Sequence, residues 1–305
     1  MSYLFNMTGV ESAAGASYYN ITYPLAMPFE YNFPVTEWVR WFDSHWSYVF
    51  FIIVPYMAII FSLQKWMENR PPFTIRKVLF VWNMSLALFS MYGTSRSLQE
   101  FLYVYKNMSF YSTYCLCGPR FLDNRVGGFW NWMFTLSKVP ELGDTVFIVL
   151  RKQPLIFLHW YHHVTVLLYA WYSYSDYIAT ARWFVCMNYL VHSVMYSYYA
   201  LKALKFRVPR WISMGITTAQ LAQMVMGAAV NIWAYQVKQA GNECHVSYDN
   251  IKISLLMYIS YFVLFAHFFC RAYVVKGDKQ VGASQDKKGQ VSLAYNGKST
   301  KGKVE

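Results

Sequence analysis

Seven apolar runs, each about 20 residues long, dominate this chain of 305 residues. A run of that length crosses a hydrocarbon core as a helix. A helix also satisfies its own backbone polar groups where no water can. The pattern therefore predicts an all-α polytopic membrane protein with about seven transmembrane helices. The expected spans run from about Trp46 to Lys65, Val78 to Leu98, Phe129 to Leu150, Leu155 to Tyr174, Ile178 to Leu201, Trp211 to Tyr235 and Ile251 to Val275. Residues 1–44 form an N-terminal segment, 45–275 the membrane domain, and 276–305 a Gly-, Ser-, Lys- and Gln-rich tail expected to be disordered. The N-terminus shows no basic region followed by an apolar run, so no cleaved signal peptide is expected.

Charge assigns the sides. The formal charge is +12, but the basic residues sit in short loops and in the tail, so a nucleic-acid partner is rejected. Loops after the first, third and fifth spans carry Lys65, Arg70, Arg76 and Lys77, then Arg151 and Lys152, then Lys202, Lys205, Arg207 and Arg210. The positive-inside rule makes these loops cytosolic and the N-terminus lumenal. The glycosylation sequons at Asn6, Asn20 and Asn107 then fall on the lumenal side. So do Cys115, Cys117 and Cys244, where disulfides are permitted. A bridge from Cys244 to Cys115 or to Cys117 is expected, and sequence does not choose between them. In the tail, Lys301 and Lys303 stand near the C-terminus like a dilysine retrieval signal of the endoplasmic reticulum.

Ionisable residues inside a span need a reason. The fourth span holds three of the seven histidines, His159, His162 and His163. At i, i+3 and i+4 they are expected on one helix face. The third span carries Lys138, Glu141, Asp144 and Thr145, with Pro140 expected to kink the helix. Lys138 and Glu141 can pair, and a purely structural ion pair is the competing reading. The fifth span carries Asn188, His192, Tyr196, Tyr198 and Tyr199, and the sixth Thr217, Gln220 and Gln223. Tyrosines near span ends also form interface belts, and glutamines on a stripe also hydrogen-bond between helices. His267 is isolated, with interhelical hydrogen bonding its expected role.

Two chemistries fit the histidines. A di-iron centre of the desaturase kind needs several histidine boxes, and this chain has one. A single zinc on three histidines is opposed by the nearby Lys138. A nucleophile fits better. An imidazole held away from water stays neutral, and its free nitrogen can attack an activated acyl group. Neighbouring histidines can orient it and move protons. Cys186 is a rival nucleophile. A seven-span receptor or transporter is the other class considered; such proteins do not typically gather a lysine, carboxylates and four histidines near one side of the membrane.

Four motifs carry a resemblance. They are Lys138-Val-Pro-Glu141-Leu-Gly-Asp144-Thr145, His159-Trp-Tyr-His162-His163, Asn188-Tyr-Leu-Val-His192-Ser-Val-Met195-Tyr196-Ser-Tyr198-Tyr199 and Thr217-Thr-Ala-Gln220-Leu-Ala-Gln223. In this order they resemble the ELO family of very-long-chain fatty-acid elongases, across about residues 30–275. The resemblance implies six helices around an acyl tunnel closed at the lumenal end. It implies condensation of an acyl-CoA with malonyl-CoA to a 3-oxoacyl-CoA two carbons longer, with release of CO2 and CoA and without a cofactor or metal. His162 is then the nucleophile and His192 its partner, while His159 and His163 orient and tune, and Asp144 is expected to fix an imidazole tautomer. Lys138, Glu141, Thr145, Asn188, Tyr196, Tyr199, Gln220, Gln223 and Trp160 are expected to bind substrate, with Lys202 and Arg207 as CoA-phosphate candidates. Trp160 is similar to the subgroup extending saturated and monounsaturated chains; polyunsaturated or very long chains are the alternative. The 3-oxoacyl-CoA reductase, dehydratase and enoyl reductase of the cycle are the implied protein partners, and a homodimer is left open.

Overall fold

A computed structural model describes residues 21–117 and 124–274. Asn6, Asn20, Lys301, Lys303 and the tail lie outside the described residues. Two short helices, α1 (Pro28–Tyr31) and α2 (Val35–His45), precede a 3-10 turn at Trp46–Val49 and α3 (Phe50–Met67). There follow α4 (Arg76–Asn107), α5 (Phe110–Cys115), α6 (Arg125–Glu141) and α7 (Gly143–Leu150). The chain continues through α8 (Phe157–Asp176), α9 (Ala181–Ala203), α10 (Arg210–Gln239) and α11 (Tyr248–Phe269), and a π-helical turn at Cys270–Val274. No strand occurs among the described residues.

Three helical stretches are long and apolar enough to cross a membrane by length and composition: Val35–Met67, Arg76–Asn107 and Tyr248–Val274. The α6–α7 pair, α8, α9 and α10 carry the motif residues instead. Their polar side chains turn inward: Lys138, Glu141, Thr145, His163, His192, Thr217 and Gln223 are all buried. Leu190 and Val194 of α9, Val225 and Ile232 of α10, and Leu256 and Val263 of α11 are exposed on the outside. A polar interior under an apolar coat is the arrangement a bilayer selects.

The helix from Arg125 to Leu150 breaks at Leu142, which separates α6 from α7. Pro140 stands two residues before the break and lacks the N–H that would bond one turn back. The turn is bridged by tighter bonds, from the Leu142 amide to the Val139 carbonyl and from the Thr145 amide to the Leu142 carbonyl. Elsewhere, small residues admit aromatic rings. A Cβ on Gly93 would lie 2.5 Å from the Tyr189 ring, and one on Gly227 equally close to that of Tyr258. These contacts seat α4 on α9 and α10 on α11.

The packed core begins before residue 45. Phe33, Val35, Val39 and Phe42 are buried and pack with Trp171 and Tyr174 of α8. The spacing 35, 39, 42 is a helical stripe, which interleaved charges hide from a search for continuous apolar runs. A buried ion pair, Arg96 Nε to Glu30 Oε1 at 3.4 Å, ties this segment to α4. Trp130 Nε1 donates to the same carboxylate.

One end of the bundle is closed covalently. Cys115 is bonded to Cys244, while Cys117 is a buried free thiol. The His245 amide donates to the Cys115 carbonyl and the Ala179 amide to the His245 carbonyl, at 2.8 and 2.9 Å. Arg182 pairs with Glu100 at 3.2 Å and donates to the carbonyls of Ser112, Thr113 and Leu116. The basic loops lie at the opposite end. Asn107 is exposed at the C-terminal end of α4, on the disulfide side. His267 departs from its expected interhelical role: it is exposed on α11.

Candidate active site

The break between α6 and α7 turns two consecutive motif groups in different directions. Lys138 and Glu141, 2% and 3% exposed, face the bundle interior. Lys138 Nζ donates to Glu141 Oε1 at 2.7 Å and to Asn188 Oδ1 at 3.2 Å. Ser137 donates to the same Glu141 oxygen at 2.9 Å. Asn188 Nδ2 lies 3.2 Å from His192 Nε2, and His192 Nδ1 lies 4.0 Å from Glu141 Oε2. An ammonium only donates, so it fixes the amide oxygen of Asn188 toward Lys138 and the amide nitrogen toward His192. His192 Nε2 must then accept, which leaves its proton on Nδ1 facing Glu141.

Beyond the break, Asp144 and Thr145 make a second group. Asp144 accepts from Trp82 Nε1 at 2.7 Å and from the Tyr196 hydroxyl at 2.8 Å, one bond per oxygen. It makes no bond to an imidazole, so the expectation that Asp144 fixes a histidine tautomer is corrected. Its neighbour does reach one: Thr145 Oγ1 is 3.0 Å from His159 Nε2 and 2.7 Å from the Tyr56 hydroxyl. The His159 and His163 rings lie 4.5 Å apart, centroid to centroid.

The histidines of α8 therefore part company. A cavity runs inside the bundle, and of the three only His162 lines it. His162, Val166, Tyr169, Ser173 and Tyr177 follow one another along its wall. At 1.5 Å per residue the wall from His162 to Tyr177 covers roughly 22 Å. Phe134 of α6, Phe184 and Asn188 of α9, Gln223 and Met224 of α10, and Tyr258 and Tyr261 of α11 complete it. Behind His162, Tyr261 and Phe265 place their rings 4.9 and 6.1 Å away, and the Tyr261 hydroxyl is 2.6 Å from Thr165 Oγ1.

Other expected substrate residues lie elsewhere. Trp160 packs on Phe61 and Phe157, at 6.0 and 5.0 Å between centroids, and faces α3. Two positions from His162 is about 200° around a helix, so both cannot face one cavity. Tyr199 is 47% exposed and off the cavity wall. Lys202 and Arg207 are exposed beyond it, at the basic end. Gln220 donates to Met195 Sδ at 3.3 Å, whereas Gln223 lines the cavity. Among the described residues no three His, Cys, Asp or Glu side chains converge as metal ligands. Tyr56, Trp82 and Tyr261 complete the network, and sequence reading missed them. Each is one aromatic in an apolar span, a weak signal where aromatics are common.

Residues 41–281 match the sequence profile of the ELO family, described as the GNS1/SUR4 family. The chain belongs to the ELO family. A Drosophila melanogaster protein named very long chain fatty acid elongase 6 is 51% identical over 258 residues, 84% of this chain and 81% of that protein. The Homo sapiens protein of the same name is 47% identical over 255 residues, 84% of this chain and 95% of the other. Putative fatty acid elongase 3 of Caenorhabditis elegans is 45% identical over 266 residues, 87% and 83% of the two chains.

Proposed function

We propose that this chain is the condensing enzyme of fatty-acid elongation and that His162 is its nucleophile. It joins a saturated or monounsaturated long-chain acyl-CoA to malonyl-CoA and releases a 3-oxoacyl-CoA, CO2 and CoA. Membership of the ELO family supports the reaction. The observation that carries the mechanism is the placement of His162: of the three box histidines it alone lines the cavity. The acyl chain lies in that cavity with its thioester carbon at His162. The imidazole nitrogen attacks this carbon, the C–S bond breaks, and the imidazole proton leaves with CoA. Malonyl-CoA then loses CO2, its enolate carbon bonds to the acyl carbon, the C–N bond to His162 breaks, and the departing imidazole takes up the one proton that the overall reaction consumes. His192 is positioned by Asn188 and Glu141 to move protons. His159, held by Thr145, and His163 set the box in the framework. Acyl transfer of this kind calls for no metal or redox cofactor.

The basic end faces the cytosol and the disulfide end the lumen. Separation of cationic loops from the Cys115–Cys244 bond supports this orientation, as does the exposed Asn107 on the disulfide side. Exposed Lys202 and Arg207 stand at the cytosolic mouth for CoA phosphates. Lys301 and Lys303 retain the protein in the endoplasmic reticulum, where a reductase, a dehydratase and an enoyl reductase complete the cycle.

The test is intact-protein mass spectrometry after incubation with palmitoyl-CoA alone. A palmitoyl-sized gain in wild type, absent in His162→Ala, is the expected result. Condensation without an adduct would make His162 a base in a direct reaction. Neither adduct nor product in folded protein would overturn the function.

A further inference from the structure

The end of the cavity farthest from His162 is polar. Tyr174 is 3% exposed, lines the cavity, and its buried hydroxyl has no hydrogen-bond partner among the described residues. Ser173 beside it makes only a 3.4 Å contact with the Ala170 carbonyl on its own helix. Asn131, two turns of α6 before Lys138, also lines this end. Nearer His162 the wall mixes Val166, Phe134 and Met224 with Thr135, Asn188 and Gln223. A tunnel built only for methylenes has no use for polar groups at its blind end, because each unpaired buried donor or acceptor is costly.

The space beyond is also polar. A second cavity shares Asn131, Tyr177, Ile178, Ala181 and Val185 with the first, and holds Glu100 and Arg182. Ile178, Ala181 and Val185 stand on the shared boundary with Asn131 and Tyr177, and the Glu100–Arg182 pair lies beyond them.

We propose that Asn131, Ser173 and Tyr174 form a hydroxyl-binding subsite, and that the enzyme elongates long acyl-CoAs bearing a hydroxyl at the distal end of the chain. This rests on the elongase reading given above. A hydroxyl both donates and accepts, which suits an amide beside two hydroxyls. The reach agrees. Ser173 stands eleven residues after His162, or roughly 16 Å along α8. A carbon–carbon bond of about 1.5 Å advances an extended chain by roughly 1.3 Å, so about a dozen bonds separate the thioester from the subsite. That matches a chain of about twelve carbons, lauroyl length. The subsite contacts the chain alike before and during reaction, so its effect falls on KM and leaves kcat in place.

The experiment compares ω-hydroxyacyl-CoAs with unsubstituted acyl-CoAs, from lauroyl to stearoyl length, on the purified full-length chain with malonyl-CoA. At the best-fitting length the ω-hydroxy substrate should show a KM at or below that of its parent. The ratio of the two kcat/KM values should fall about tenfold in Asn131→Leu. Because the ratio is taken within one variant, a general loss of activity does not mimic the result; Ser173→Ala gives the same reading if Asn131→Leu does not fold. Wild-type discrimination of about tenfold or more against the hydroxyl at every length overturns the proposal. So does a ratio unmoved in the variants. Wild type that elongates the hydroxylated chains poorly but palmitoyl-CoA well sinks this subsite alone; wild type that elongates neither sinks the elongase reading and the subsite with it.

Discussion

The Lys138 ammonium donates to the amide oxygen of Asn188 at 3.2 Å, and through that bond it fixes which nitrogen of His192 carries the proton. Asn188→Asp keeps the shape and removes the amide donor. An acceptor then faces His192 Nε2, and the ring must shift its proton or turn. We expect kcat to fall by about 10- to 100-fold with little change in KM. Initial rates in detergent or proteoliposomes give both parameters. Wild-type kcat in Asn188→Asp would show that the tautomer of His192 does not matter.

Lys138 and Glu141 are a buried pair joined at 2.7 Å. Removing one partner leaves the other as an uncompensated charge, a loss of about 3–5 kcal/mol. Lys138→Met and Glu141→Gln should each lower the melting temperature sharply. The double variant should recover part of that loss while staying inactive, because Asn188 loses its anchor. Thermal unfolding followed by tryptophan fluorescence, with a double-mutant cycle, separates the structural share from the catalytic one. Additive losses would mean that the two side chains do not act as a pair.

Thr145 separates framework from chemistry. Its hydroxyl bridges Tyr56 and His159 at 2.7 and 3.0 Å, while His162 faces the cavity. Thr145→Ser keeps the bridge and should stay within about twofold of wild type. Thr145→Val is isosteric, loses both bonds, and should cost about tenfold in kcat. His162→Ala should leave only background turnover. Equal losses in Thr145→Val and His162→Ala would place both histidines in one reacting unit.

The motif residues and the seven long helices were legible in the sequence because a bilayer makes polarity informative: a lysine or histidine in an apolar run has few places to go. Which histidine lines the cavity was less so. Spacing puts His159, His162 and His163 within one broad face, but about 60° separates His159 from His162, and neighbours on α3, α7 and α11 decide which edge meets space. Trp160 was misplaced because its motif position carries no direction. The contacts of Tyr56, Trp82 and Tyr261 span tens of residues along the chain and leave no local periodicity. The same holds for Glu30 and Arg96, which meet across 66 positions. The choice of Cys115 over Cys117 for the bond to Cys244 depends on where α5 ends, and two candidates two residues apart look alike in sequence.

Three described cysteines are free, and their surroundings differ enough to test both the fold and its orientation. Cys117 and Cys186 are buried, whereas Cys270 is exposed at the basic end. Cys117 lies outside the spans, and burial pushes its thiol up to about 12. The thiolate is the reactive form, so at neutral pH Cys117 has neither access nor charge. A membrane-impermeant maleimide added to intact microsomes should label Cys270 alone. Labelling should vanish in Cys270→Ser, with no change on permeabilising the vesicles. Denaturant without reductant should then expose Cys117 and Cys186, and reductant should add Cys115 and Cys244. Cys115→Ser and Cys244→Ser should lower stability equally, since either removes the same bond. A closure of 129 residues is worth up to about 5 kcal/mol in the chain-entropy estimate, and less where membrane spans already hold the two ends near each other. Labelling of Cys270 only after permeabilisation would reverse the orientation while leaving the fold intact. Early labelling of Cys117 would contradict its burial between the disulfide and Tyr177.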